Sequence, residues 1–131
     1  MSVLIDTHAF LWYLSGNTQL TRVARAEIET RGAKNLVSVS SILEISIKHS
    51  LGKLQILGPF ESLYDDLNNN GFKIIPIEFS ELIHLNQLSF FHHDPFDRLI
   101  VSQALVRNCN IVSGDKIFDE YLRGTSLSRV W

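Results

Sequence analysis

Apolar positions in this chain fall into short runs, separated by longer stretches with helical periodicity. That rhythm predicts strands alternating with helices. Val3-Leu4-Ile5 reads as a buried strand ending at Asp6. Thr7 is placed to cap a short helix over Ala9 to Leu14, which Ser15-Gly16-Asn17 breaks. Thr18 or Thr21 opens a second helix that ends at Gly32, and Leu36-Val37 is a second short strand. An amphipathic helix begins at Ser41-Ile42-Leu43-Glu44 and runs to about Ser50, stopped by Gly52. Pro59 to Asn69 predicts another helix, with Gly71 at its end. Phe72 to Ile75 is a third strand, and Ser80 to Leu85 a helical turn. Asp94-Pro95 opens a strong helix reaching about Asn108, and Ile111-Val112-Ser113 is a fourth strand. Leu127 to Trp131 reads as a fifth strand at an edge.

Such alternation implies a three-layer α/β/α sandwich, with a four- to five-stranded, mainly parallel sheet and right-handed crossovers. Open parallel sheets place their sites beyond the carboxyl ends of the strands. Asp6 and Asp115 stand at such ends.

Length and composition narrow the picture. With 131 residues, 45% of them apolar, the chain suits one domain over 1–131 with a real core. The single cysteine, Cys109, can build neither an internal disulfide nor a thiolate metal site, and a reducing, cytoplasmic setting is expected. It reads as a small core residue. The segment before Asp6 lacks the basic region of a signal peptide, and no apolar stretch approaches the length of a membrane span. A net charge of −2 argues against nucleic-acid binding unless acids holding divalent cations change the sign locally.

The candidate chemistry lies in the acids, and each has a structural reading as well. Asp6 and Asp115 suit turns or helix caps as readily as a site. Ser41 through Glu44 matches a Ser-x-x-Glu capping box, and Glu44 lies one helical turn before Lys48, so capping leads on spacing alone. Asp94 suits an N-cap before Pro95, with Asp97 near the positive end of the helix. Yet Asp97 shares a face with Val101 and Ala104, and a carboxylate facing inward is costly unless paired or bound to a cation. Mg²⁺ takes oxygen ligands, and one or two such ions provide what phosphodiester hydrolysis needs. No His/Cys set has zinc-site spacing.

The residues then match a family. Leu4-Ile5-Asp6-Thr7-His8, Ser38-Val39-Ser40 through Glu44-Ile45 with Lys48, and Gly52-Lys53-Leu54 are the first pieces. His92-His93-Asp94-Pro95-Phe96-Asp97-Arg98, Gln103-Ala104, Ser113-Gly114-Asp115 with Phe118 and Tyr121, and Val130-Trp131 complete them. In their order and spacing, the chain resembles PIN-domain proteins of the VapC type over nearly its whole length. The resemblance implies a metal-dependent endoribonuclease using Mg²⁺ (or Mn²⁺), with Asp6, Glu44, Asp97 and Asp115 as its acids. Asp6 and Asp97 would be the principal ligands, Glu44 and Asp115 would complete the site, and Asp94 would be structural. It also implies an RNA substrate, a homodimer and a cognate antitoxin partner. The chain departs from the family pattern at Ser113, where Thr is frequent, at Ser89, where Pro is, and at His93, where a basic residue is.

Other polar residues keep two readings. Thr7 and Ser40 suit caps as well as hydrogen bonds to the acids. Arg98 suits a salt bridge with a helix acid, ahead of a contact to RNA phosphate. His92 and His93 read as solvated loop residues, and Phe10, Trp12, Tyr13, Phe90, Phe91 and Trp131 as core or interface. Two rivals stand beside the nuclease. A phosphoacceptor receiver domain also gathers acids at strand ends, but it needs an acid pair after the first strand, where only Asp6 is present. A catalytically silent binding module of the same fold would not need all four acids.

Overall fold

The computed structural model describes residues 2–31 and 34–131, with only the backbone of Arg31. The expected end of the second helix at Gly32 lies outside the described residues. Five strands form one parallel sheet: β1 (Val3–Ile5), β2 (Asn35–Ser38), β3 (Phe72–Ile75), β4 (Asn110–Val112) and β5 (Arg129–Val130), in the order β3-β2-β1-β4-β5. The chain moves outward from β1 through β2 to β3, then returns to the other side of β1. The switch point therefore falls between β1 and β4, where such sheets open a crevice at the strand ends. A receiver domain has the order 2-1-3-4-5 instead, so the sheet rules that rival out.

Seven helices are described: α1 (Thr7–Ser15), α2 (Arg22–Arg31), α3 (Val39–Ser50), α4 (Ser62–Asn69), α5 (Phe79–Gln87), α6 (Pro95–Arg107) and α7 (Ile117–Leu122). Alternation along the strands divides the core in two, because successive side chains leave opposite faces. Val3, Ile5, Val37 and Val112 pack on one side with Ala9 and Phe10 of α1, Ala24 and Ile28 of α2, and Leu63 and Leu67 of α4. Leu4, Leu36 and Ile111 pack on the other with Ile100, Val101 and Ala104 of α6 and Phe118 and Leu122 of α7. Cys109 is buried in this second half as a free thiol. The result is the α/β/α sandwich expected, with every strand pairing parallel.

Helix ends follow local chemistry. Gly16 closes α1 and Asn108 closes α6, both left-handed (φ 67° and 58°), a conformation that Gly and then Asn adopt most readily. Other boundaries differ from expectation. The third helix starts at Val39 because Ser38, the last residue of β2, caps it by accepting from the Ser40 amide at 3.1 Å. The fourth starts at Ser62, after a turn over 59–62. The short α7 was not anticipated, and β5 is confined to Arg129 and Val130. Among the described residues no helix is long and apolar enough to cross a membrane.

Candidate metal centre

Asp6 leaves the end of β1, at the switch point, and is only 6% exposed. It caps α1, accepting from the Ala9 amide at 2.8 Å, so the cap is Asp6 and not Thr7. Thr7 turns inward instead. Its hydroxyl donates to Glu44 Oε1 at 2.7 Å and lies 2.9 Å from Ser41 Oγ. Burial pushes the Asp6 carboxyl up to about 6, against the opposing pull of the Ser113 hydroxyl and the Ala9 amide, and the charge of Asp97 adds to the rise.

Glu44 is the sixth residue of α3, too far into the helix to reach the cap. The capping-box reading of Ser41 and Glu44 therefore fails. It presumed a helix capped at Ser41, three residues later than the Ser38 cap that sets it. Glu44 is buried, held by Thr7 and by Lys48, whose ammonium lies 2.6 Å from Oε2. The bond to Glu44 raises the Lys48 pKa. Ser40, one of the weaker candidates, bonds to Ser38 Oγ at 2.8 Å, and no bond joins it to an acid.

On α6, the two aspartates have different tasks. Asp94 is the cap, accepting from the amides of Phe96 (2.8 Å) and Asp97 (3.1 Å). Asp97 caps nothing. Its Oδ2 lies 2.8 Å from His92 Nε2, and burial is the largest cause of its raised pKa, with the charges of Asp94 and Glu44 adding to it. Asp115, in the turn after β4, is the most open of the acids, with its side chain 49% exposed. It serves the turn, accepting from the Ile117 amide at 3.0 Å, and its other oxygen lies 3.9 Å from His92 Nε2.

The four acids named from sequence thus come to one end of the sheet, but not to one distance. Among the described residues, His92, Asp97 and Asp115 offer ligand atoms that all lie within 4.8 Å of one another. Asp6 and Glu44 stand beside this group. Asp6 and Asp115 also line a cleft of about 430 Å³ with His8, Trp12, Gln19, Gly114 and Trp131. Gly114 lets the ring of Trp131 lie close against the backbone, since a Cβ there would stand 2.9 Å from the indole and displace it. The donor chemistry fits a divalent cation: carboxylate oxygens predominate, and the burial and repulsion that raise Asp6 and Asp97 are what a positive ion would reverse.

Two residues differ from expectation. Arg98 makes neither an ion pair nor an accessible phosphate contact. It is buried, its guanidinium donates to the carbonyls of Ser89 (2.8 Å) and Leu88 (3.2 Å), and it stacks 3.9 Å from the Phe90 ring centroid. His92 is no solvated loop residue, because it bonds Asp97. Of the two readings given to Phe90 and Phe91, core or interface, their exposure leaves the second. A histidine just ahead of the Asp94-Pro95-Phe96-Asp97 helix start was the one available signal, and it does not reveal which way the ring turns.

Comparison with known proteins places this geometry. The model of the PIN domain family matches residues 3–123. No curated protein sequence matches the chain significantly. Several solved structures share its fold. A toxin–antitoxin complex from Klebsiella pneumoniae aligns with a TM-score of 0.64 at 16% identity, covering 97% of this chain and 95% of that one. VapBC2 from Rickettsia felis, bound to a promoter DNA fragment, gives 0.69 at 15%, covering 100% of both chains. DNA-bound VapBC from Salmonella typhimurium gives 0.71 at 12%, covering 98% of both. At these identities the likeness is one of fold.

Proposed function

The chain belongs to the PIN domain family, and on that premise we propose that it is a divalent-metal-dependent endoribonuclease, the toxin of a toxin–antitoxin pair. The observation that carries the proposal is the convergence of Asp6, Asp97 and Asp115, with Glu44 behind them, at the switch point of the sheet. Four carboxylates at one end of a sheet are costly for stability and well suited to a cation.

Asp6, Asp97 and Asp115 would hold Mg²⁺ or Mn²⁺, with Glu44 completing the set directly or through water. A bound ion of this kind supplies an activated water and offsets charge on the phosphoryl oxygens. This chain's residues do the rest. The Ser113 hydroxyl and the Ala9 amide orient Asp6. Thr7 and Lys48 hold Glu44 in place from two sides. The cleft walled by Trp12 and Trp131 offers a nucleotide base an apolar surface beside Asp6 and Asp115. A cation there would also give a chain of net charge −2 a local positive site for RNA.

The three structures described above are toxin–antitoxin assemblies, which supports an antitoxin as the partner here. In this reading residues 1–131 act as one PIN domain, a cytoplasmic homodimer with two acidic sites along one groove. The test is cleavage of single-stranded and structured RNA by the purified chain with Mg²⁺ or Mn²⁺. Cleavage should appear with metal and stop with EDTA, and expression of the chain alone should slow growth unless the adjacent reading frame is expressed too. If calorimetry finds no metal binding and no RNA is cut, the proposal is wrong.

A further inference from the structure

His92 is held more firmly than a loop residue needs to be. Its amide donates to Tyr121 Oη at 2.9 Å, and its carbonyl lies 3.4 Å from Arg98 Nη1. The carbonyl of Ser89, three residues earlier, accepts from both Arg98 and Tyr121 at 2.8 Å. Arg98 and Tyr121 are buried. Two side chains from α6 and α7 thus fix the backbone on which the His92 imidazole is mounted.

The imidazole is directed between two carboxylates that come from different elements. Nε2 lies 2.8 Å from Asp97 Oδ2 on α6 and 3.9 Å from Asp115 Oδ2 after β4. A donor that served only to orient Asp97 would have no reason to face Asp115. Ligand atoms around one ion, each about 2.0–2.2 Å from it, stand about 3 Å apart at right angles and about 4.2 Å apart when opposite. The two distances at His92 fall close to that range.

We propose that His92 is a metal ligand, contributing Nε2 beside Asp97 and Asp115 and turning an all-carboxylate site into a mixed nitrogen and oxygen site. The inference rests on the metal-dependent reading above and deepens it. It has a consequence for selectivity. Imidazole favours later transition metals, whereas Mg²⁺ prefers oxygen alone and keeps several waters. The chain should therefore bind Co²⁺ well ahead of Mg²⁺, and His92 should be the cause.

The experiment is calorimetric titration of the full chain with Co²⁺ and with Mg²⁺, for wild type, His92→Gln and Asp97→Asn. Proton NMR of the Co²⁺-loaded protein accompanies it. His92→Gln should weaken Co²⁺ roughly 10- to 100-fold while Mg²⁺ changes far less. A paramagnetically shifted, exchangeable imidazole N–H resonance should be present in wild type and lost in His92→Gln. Thermal melts in EDTA check folding, and if His92→Gln does not fold, His92→Asn takes its place. Binding of both metals by wild type, with His92→Gln unchanged and Asp97→Asn impaired, would overturn this inference and leave the metal-dependent reading intact. Binding of neither metal by wild type would overturn both.

Discussion

Thr7 and Glu44, 37 residues apart in sequence, are joined by a 2.7 Å hydrogen bond inside the protein. The bond ties the first turn of α1 to the second turn of α3, and so ties the residue after Asp6 to another of the candidate acids. Because the acceptor is a buried carboxylate, the bond is of the charge-assisted kind. Thr7→Val keeps the shape and removes the donor. It should cost about 1.5–3 kcal/mol. Thr7→Ser, which keeps the hydroxyl, should cost clearly less. Urea unfolding in EDTA measures both, and equal losses in the two variants would assign the effect to packing.

Stability should also depend on pH in a direction set by Asp6. Its pKa rises from 3.8 to about 6 on folding, chiefly through burial. Between those values the folded chain holds more protons than the unfolded one, so stability falls as pH rises. The shift corresponds to about 3 kcal/mol. Asp97, also raised, acts in the same direction. In EDTA, Asp6→Asn should therefore be more stable than wild type at pH 7, and the gap should close towards pH 4. A gap that is constant across this range would mean that the carboxyl titrates alike in both states.

The strands were legible as short apolar runs, the site at the end of β1 because a carboxylate follows directly at Ile5-Asp6, and the parallel sheet follows from the alternation itself. Glu44 was not legible from its local spacing, and only the family resemblance named it. The local pattern Ser41-x-x-Glu44 imitates a cap, and only the true start of α3, set by Ser38 at the end of β2, shows that it is none. His92 was hidden for a different reason. Its position is fixed by Tyr121, 29 residues later, and by the burial of Arg98, neither of which leaves a periodic trace. The short α7 has no side-chain cap to announce it.

Arg98 offers a test of that arrangement. Its fork reaches the carbonyls of Ser89, Leu88 and His92 at once, and an ammonium cannot reproduce that geometry. Arg98→Lys should cost on the order of 2 kcal/mol. Amide exchange should quicken in the segment over 88–93, His92 included. Wild-type exchange there would show that Tyr121 alone holds the loop.

The most direct test of the site compares two aspartates three residues apart. Asp94 accepts from two free amides at the start of α6, a task that Asn performs about as well. Asp94→Asn should therefore fold and function close to wild type. Asp97 accepts no capping bond, faces His92, and lies near enough to Asp6 and Glu44 to feel or exert their repulsion. If Asp97 mattered only as an acid near the positive end of the helix, Asp97→Asn would cost about 0.3–1 kcal/mol and leave activity in place. As a ligand it behaves in the opposite way. Without metal the variant should be as stable as wild type at pH 7, or more so, because a desolvated like charge has been removed. Metal binding and RNA cleavage should collapse. Cleavage rates against Mg²⁺ and Mn²⁺, with melts in EDTA, decide between the two. Near wild-type cleavage by Asp97→Asn would remove Asp97 from the metal site, and equal loss in both variants would place the requirement in the helix start as a whole.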